Sequence, residues 1–164
     1  MDLKNLLSLA GRKITDKGLI EAMKREDIDI SLIDLAENEF QAYLEIKDRG
    51  IALIFSDESW FLGLEDKAIG TGVLFFTGVF VYLQEQDGYS KYLGSLPHRL
   101  SFSYNSDDFI NQFGNPSWSR SRPNGSLVSQ RWDNVDIYRI HITYGKESGL
   151  VSIIYLGIPE KSAA

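Results

Sequence analysis

The side chains best suited to acid–base chemistry near neutral pH are the two histidines of this chain, His98 and His141. His141 lies in an alternating stretch, on the face opposite Ile140 and Ile142, where a hydrogen-bonded or solvent-facing histidine is expected. His98 follows Pro97 and is expected at the surface. The chain has no cysteine, and two histidines without a third ligand at a characteristic spacing do not predict a zinc site. We therefore expect neither a metal nor a cofactor.

Nucleophilic and phosphate-binding motifs are equally unsupported. The chain has no Gly-x-Ser-x-Gly turn, and Gly70-Thr71-Gly72 is followed by an apolar strand pattern with no lysine. The pair Asp107-Asp108 fits the first turn of a helix, and Asp133 and Asp136 flank a hairpin turn. We predict no catalytic residue. Because triad members converge only in space, a small enzyme that uses His98 or His141 stays open as an alternative.

One cluster combines basic and aromatic side chains, namely Arg120, Arg122 and Arg131 with Trp118 and Trp132. Such a cluster could stack on single-stranded nucleic acid. The net charge of −6 disfavours binding to a polyanion. Tryptophan and arginine are also enriched at protein-interface hot spots, so we predict that Trp118 contacts a protein partner.

Acidic side chains crowd the stretch from Glu26 to Glu39, which contains no basic residue. The alternation of Ile28, Ile30 and Leu32 fits an edge strand or extended segment with one buried face and one acidic face. A run of charges of this kind is either a solvated surface or a docking surface for a basic protein. On the second interpretation, the predicted contacts are Asp27, Asp29, Asp34, Glu37 and Glu39.

Composition favours one soluble globular domain. The 164 residues are 43% hydrophobic and 24% charged, and this length can bury a stable core without disulfides. Residues 1–70 hold 9 basic and 15 acidic side chains, whereas residues 71–164 hold eight of each, so the whole net charge lies in the first part. We read no signal peptide or membrane span and expect a cytoplasmic protein without membrane or nucleic-acid partners.

Two short helices are predicted near the N-terminus. Leu3, Leu6, Leu7 and Ala10 at helical spacing predict the first, which Gly11 is expected to end. Thr15 or Asp16 can cap a second helix, whose apolar positions Leu19, Ile20 and Met23 are expected to face inward. The clearest hairpin joins alternating residues 40–46 to the apolar stretch 51–55 through Asp48-Arg49-Gly50.

Later segments predict more strands and one further helix. Residues 73–83 read as a strand with a bulge at Thr77-Gly78. A short strand at 100–104 and a helix capped by Ser106 follow, then a loop at 117–129 that fits a hairpin tip. The last three strands are expected at residues 128–132, 137–144 and 150–156.

This order predicts an α+β fold, in which N-terminal helices pack on a mainly antiparallel β-sheet, with a C-terminal strand-helix-three-strand unit. Residues 1–164 are expected to form a single domain. Two subdomains that share one core, residues 1–86 and 87–160, remain an alternative.

A set of turns and core positions from Gly50 to Leu156 resembles small bacterial immunity proteins that are encoded beside polymorphic or contact-delivered toxins. The matching residues are Gly50-Ile51-Ala52-Leu53-Ile54-Phe55, Asp87-Gly88-Tyr89, Tyr92, Gly94, Leu96-Pro97, Leu100-Ser101-Phe102, Phe113-Gly114-Asn115-Pro116, Trp132-Asp133 and Tyr138-Arg139-Ile140-His141-Ile142-Thr143-Tyr144. The pattern covers about two thirds of the chain. His98-Arg99 departs from it, since apolar or glycine positions are expected after Leu96-Pro97.

The resemblance implies a stoichiometric inhibitor that binds a cognate toxin, and it supplies no catalytic residue. An acidic inhibitor suits a basic nuclease-type toxin domain, because electrostatic attraction speeds their encounter. The alternatives are a structural or assembly subunit of a larger complex and the small enzyme noted above.

Overall fold

A computed structural model describes residues 1–161 and contains one seven-stranded antiparallel sheet with four short helices. The helices are α1 (Leu3–Leu7), α2 (Lys17–Arg25), α3 (Glu58–Leu62) and α4 (Ser106–Phe113), and a 3-10 turn covers Lys47–Arg49. The strands are β1 (Gln41–Ile46), β2 (Ile51–Asp57), β3 (Leu74–Tyr82), β4 (Trp118–Ser121), β5 (Leu127–Val135), β6 (Tyr138–Tyr144) and β7 (Val151–Gly157). The predicted α+β class with antiparallel pairing is confirmed.

Strand order in the sheet is β1-β2-β3-β7-β6-β5-β4. Hairpins account for every neighbour except β3 and β7, which meet in the middle of the sheet. One continuous sheet therefore joins the first three strands to the last four. Buried apolar residues from both parts form a single cluster.

One face of the sheet forms the core. Leu53, Val79, Leu156, Ile140 and Trp132 follow one another in register across five strands, and each is at most 3% exposed. Side chains two positions apart on a strand share a face, so this row defines the covered side.

Helices α1, α2 and α4 pack on this covered face, whereas α3 lies on the opposite face. Leu3, Leu7, Leu19 and Met23 from α1 and α2 join the buried cluster. Phe109 of α4 is fully buried, with its ring packed against Trp132 and Tyr144. None of the helices in residues 1–161 is both long enough and apolar enough to cross a bilayer.

Several local predictions are confirmed. Asp16 caps α2 by accepting a hydrogen bond from the Leu19 N–H, and the hairpin of β1 and β2 turns at Gly50, whose φ of 68° suits glycine. The first helix is present but ends at Leu7, before the predicted stop at Gly11, and Asp2, which was not predicted as a cap, accepts from its first backbone N–H groups. The bulge expected at Thr77-Gly78 is present, because Ile54 pairs with Gly78 whereas Phe55 pairs with Phe76.

Other local predictions are wrong. Residues 100–104 form no strand, and residues 26–39 do not form the edge strand that was one of their two predicted states, because their backbone groups bond to turns and to neighbouring elements instead of a strand partner. Four strands follow α4, since β4 forms inside the stretch expected to be a loop. The residue that caps α4 is Asn105, one position before the predicted Ser106.

Candidate protein-binding surface

Residues 26–39, here called the acidic segment, run irregularly from α2 to β1. The segment is held at its start, where the Ile28 N–H donates to the Met23 carbonyl at 2.9 Å and Arg49 Nη1 donates to the Glu26 carbonyl at 2.7 Å. Ile28 and Ile30 are buried in the core. Two buried anchors and an arginine tether therefore hold an otherwise irregular chain against the domain.

All five predicted contact carboxylates of the acidic segment are exposed. These are Asp27, Asp29, Asp34, Glu37 and Glu39. Leu32, between them, is 84% exposed instead of continuing the buried alternation. The acidic segment therefore presents exposed carboxylates together with one exposed leucine, and both kinds of group are accessible to a partner.

An open groove of about 880 Å³ runs between α2 and the acidic segment. Its apolar lining consists of Ile14, Ile20, Ile28, Ile30 and Ile33. Asp27 and Asp29 line it on the segment side, and Lys24 of α2 also lines it. The groove thus offers an apolar floor with carboxylates beside it.

Hydrogen bonds favour the charged form of Asp29. The Ser31 hydroxyl and the Ser31 backbone N–H, with the N–H 2.9 Å from Asp29 Oδ1, hold the pKa of the Asp29 carboxyl below its usual value. Lys24 lowers it further. Asp29 is therefore negatively charged at neutral pH and available to a cationic partner.

The structure places Trp118 far from the acidic segment. Trp118 begins β4 at one edge of the sheet, and the acidic segment leads into β1 at the other. Six strand spacings of roughly 4.8 Å separate these edges, about 29 Å in all. Trp118 and the acidic contacts are not brought together into one compact patch.

Strand alternation divides the basic-aromatic cluster. Trp132 points into the core, where its indole N–H donates to the Gly114 carbonyl at 2.9 Å. Arg131, the preceding residue, lies on the opposite face with its guanidinium 5.9 Å from the Trp118 ring centroid. Only Trp118 and Arg131 form a surface pair.

The histidines lie on opposite faces of the sheet. His98 packs edge-on against Tyr138 on the covered side, and its Nδ1 is 3.8 Å from Asp136 Oδ2. His141 lies on the other face, where burial and then Arg131 and Arg139 lower its pKa. Each lines a groove that is open to solvent.

No acid–base constellation forms around His98. Ser8 and Ser95 line the same groove, but within residues 1–161 neither hydroxyl hydrogen-bonds to the imidazole, and Ser8 Oγ donates to the Asn5 carbonyl instead. Nor do any three His, Asp or Glu side chains of this part of the chain lie in a group that could hold a metal ion.

Comparison of the chain with family models, with curated proteins and with solved structures finds no match in any of the three.

Sequence reasoning missed the opposite, uncovered face of the sheet as a surface in its own right. Its side chains come from strands far apart in the chain, and they become neighbours only through the pairing of β3 with β7. The pairing of Arg131 with His141 could have indicated this surface. It depends on the register of β5 on β6, which the sequence alone does not give.

Proposed function

We propose that this chain is a non-catalytic binding protein of the immunity-protein type, which neutralises a cognate bacterial toxin by binding it directly through the acidic segment. One observation carries the proposal: the acidic segment exposes five carboxylates and a leucine, and two of those carboxylates, Asp27 and Asp29, line an apolar groove of about 880 Å³. The resemblance over residues 50–156 implies an inhibitor that binds a toxin. The exposed carboxylates and the apolar groove supply the groups that would bind it.

Charge and apolar area have separate roles in this mechanism. Long-range attraction between the carboxylates and a basic partner speeds encounter, and it weakens as salt screens it. An apolar side chain of the partner, seated in the isoleucine-lined groove, would then slow dissociation. A nuclease-type toxin suits such a surface because its own substrate is a polyanion.

The test compares two variants with the same change in charge. The first neutralises the segment by Asp27→Asn, Asp29→Asn, Asp34→Asn, Glu37→Gln and Glu39→Gln. The matched control neutralises five exposed acids elsewhere, whose side chains make no hydrogen bond or ion pair within residues 1–161, by Glu65→Gln, Asp66→Asn, Glu85→Gln, Asp107→Asn and Glu147→Gln.

Each form is immobilised, and the partner is recovered from the native cell and identified. Association is then timed at low and high salt, and cells that produce the partner are scored for survival. We expect the segment variant to associate at least about tenfold more slowly at low salt and to protect poorly, while the control resembles the parent. Salt-independent association, or full protection by the segment variant, would contradict the proposal.

Assembly into a larger complex remains the competing proposal. Sedimentation of the purified chain distinguishes the two, because a structural subunit with a self-complementary surface forms a dimer without a foreign partner.

A further inference from the structure

The face of the sheet opposite the core carries a groove of about 350 Å³. Its floor is the middle of the sheet, and one wall is formed by α3 and the C-terminal segment, which contribute Trp60 and Glu160. Phe40 packs on Trp60 with ring centroids 4.2 Å apart. A volume near 350 Å³ suits a small organic molecule better than a folded partner.

One row of side chains crosses the groove floor. Phe80, Tyr155, His141 and Arg131 are successive partners in register on β3, β7, β6 and β5. The Phe80 and Tyr155 ring centroids are 5.5 Å apart. Trp118 continues the row on β4, with its ring 5.7 Å from that of His141. Between Phe80 and Arg131 the row changes from aromatic to cationic, and Trp118 lies beyond Arg131, with its ring centroid 5.9 Å from the guanidinium.

Paired glycines allow the Tyr155 ring to lie low over the sheet. Gly78 and Gly157 are register partners on β3 and β7, next to the row. A Cβ at Gly78 would lie 3.2 Å from Tyr155 Cε2, and one at Gly157 would collide with the Tyr155 hydroxyl. The Tyr155 ring thus occupies the space above the sheet that side chains at these two positions would fill.

Several polar groups of the groove lack protein partners. Within residues 1–161 the Tyr155 hydroxyl, the Thr143 hydroxyl and the His141 ring nitrogens make no hydrogen bond. Burial raises the pKa of Tyr155 to about 12, so its hydroxyl remains a donor at neutral pH. The lowered pKa of His141 favours a neutral ring with one N–H donor.

The arginines of the groove differ in how far their charge is balanced. Arg139 donates from Nε to Asp133 at 2.7 Å and from Nη1 to Glu160 at 3.0 Å. Arg131 Nε lies 3.0 Å from the same Asp133 oxygen but out of line for a hydrogen bond, and it is buried without a partner. The two carboxylates are thus engaged by Arg139, and the guanidinium of Arg131 is left with unused donors.

We propose that this groove binds a small aromatic carboxylate, whose ring stacks on Tyr155 and Phe80 and whose carboxylate pairs with Arg131. Tyr155 and Arg131 are two strand spacings apart, about 10 Å, so the ring and the carboxylate are separated by a few carbon atoms. A bidentate pairing with a planar guanidinium is the strongest hydrogen-bonded ion pair that proteins form. Thr143 and His141 also line the groove, in which Tyr155 would hold the ring and Arg131 the carboxylate.

Charge favours a single carboxylate over a polyanion. Asp133 and Glu160 already balance the charges of Arg131 and Arg139, so one carboxylate can be held by the unused donors of Arg131, whereas several added negative charges would be repelled. A nucleic acid would bring several phosphates against those carboxylates and against a chain of net charge −6.

In the test, 4-phenylbutyrate is titrated into a solution of the full chain. Binding is measured by calorimetry and by the changes in backbone and arginine side-chain NMR shifts. The neutral 4-phenylbutyramide lacks the charge, and butyrate lacks the ring. We expect saturable binding of 4-phenylbutyrate at millimolar concentration or below, with shifts on β5, β6 and β7, and binding at least about tenfold weaker for either analogue. Equal binding of all three, or none of 4-phenylbutyrate, overturns the proposal.

Variants locate the site. Arg131→Gln keeps hydrogen-bonding ability but removes the charge, and it should weaken 4-phenylbutyrate at least about tenfold. Arg25→Gln removes an exposed charge from α2, away from the groove, and should leave binding unchanged. NMR spectra of both variants establish that they are folded. Retention of full affinity by a folded Arg131→Gln chain overturns the assignment.

A final arm distinguishes the source of the carboxylate. An N-acetylated tripeptide that ends in phenylalanine carries the same ring and carboxylate at a chain terminus. We expect it to bind no more tightly than 4-phenylbutyrate, because a groove of this volume holds the terminal residue alone. Much tighter binding of the tripeptide overturns the assignment to a small molecule.

Discussion

Asp57 is a buried carboxylate that several hydrogen bonds hold in place. It is fully buried at the N-terminus of α3, where its carboxylate accepts from the Ser59 N–H at 2.9 Å, the Ser59 hydroxyl at 2.7 Å and the Gly70 N–H at 2.9 Å. Burial raises the pKa of Asp57, but these hydrogen bonds outweigh burial, and the pKa is lowered overall. One carboxylate thus ties the loop before β3 to α3.

Stability should therefore depend on pH through Asp57. Because the pKa in the folded state is below the unfolded value of about 3.9, the carboxylate stabilises the fold above that pH and ceases to do so as pH falls through the folded pKa. Urea unfolding between neutral pH and about pH 3 should show a loss that is smaller in Asp57→Asn, which is itself less stable at neutral pH by about 2 kcal/mol.

Asp66→Asn serves as the control, since Asp66 is exposed in the loop that Asp57 holds. It should follow the parent curve throughout. Parallel pH curves for the parent and Asp57→Asn would show that the carboxylate of Asp57 is not responsible.

At the level of elements, segments with both a periodic pattern and a specific end signal were predictable. Asp16 was predictable as a cap and Gly50 as a turn, because these residues act on their immediate neighbours. The acidic segment failed as a strand although Ile28 and Ile30 are buried alternately. Alternation records only which side chains are buried, whereas a strand also needs a partner backbone.

The pairing of β3 with β7 leaves no room for a side chain at Gly157. A Cβ at Gly157 would lie 2.7 Å from the Thr77 carbonyl oxygen and would meet the Tyr155 hydroxyl. Gly157→Ala should therefore lower the free energy of unfolding by about 2 kcal/mol, because backbone as well as side chain must shift. Chemical denaturation followed by tryptophan fluorescence measures this change.

Gly18→Ala provides the matched substitution. Gly18 lies in α2, where an added Cβ approaches side-chain atoms of Arg12 and Asp16 but no backbone. Alanine favours helix over glycine, so this variant should be at least as stable as the parent. Equal effects of the two substitutions would contradict the steric explanation.

Viewed as a whole molecule, the chain has two surfaces of different character. The acidic segment lies beside α2 and leads into β1, whereas the groove with Arg131 lies on the face that no core helix covers. The exposure of the acidic residues was predictable from the sequence, because a run of charged side chains is expected at the surface. The second surface could not be anticipated, because Phe80, Tyr155 and Arg131 become neighbours only through pairing over long stretches of chain.

Substitution of Trp118 tests whether the partner of the acidic segment also contacts β4. A tryptophan in the centre of an interface typically costs about tenfold or more in affinity when it is truncated. The prediction that Trp118 contacts that partner requires this loss in Trp118→Ala, measured by calorimetry with the identified partner. Unchanged affinity would confine the interface to the β1 side of the sheet, about 29 Å away.

The strand order also has a kinetic consequence. In the part of the chain that the structure describes, five of the six strand pairings join consecutive strands, and β3 with β7 is the exception. That pairing unites Gly78 with Gly157, 79 positions apart, so its contacts pay a larger entropy of loop closure than any hairpin. We expect the hairpins to form first and the closing of β3 on β7 to limit the rate of folding, leaving both central strand edges exposed to intermolecular pairing until it occurs.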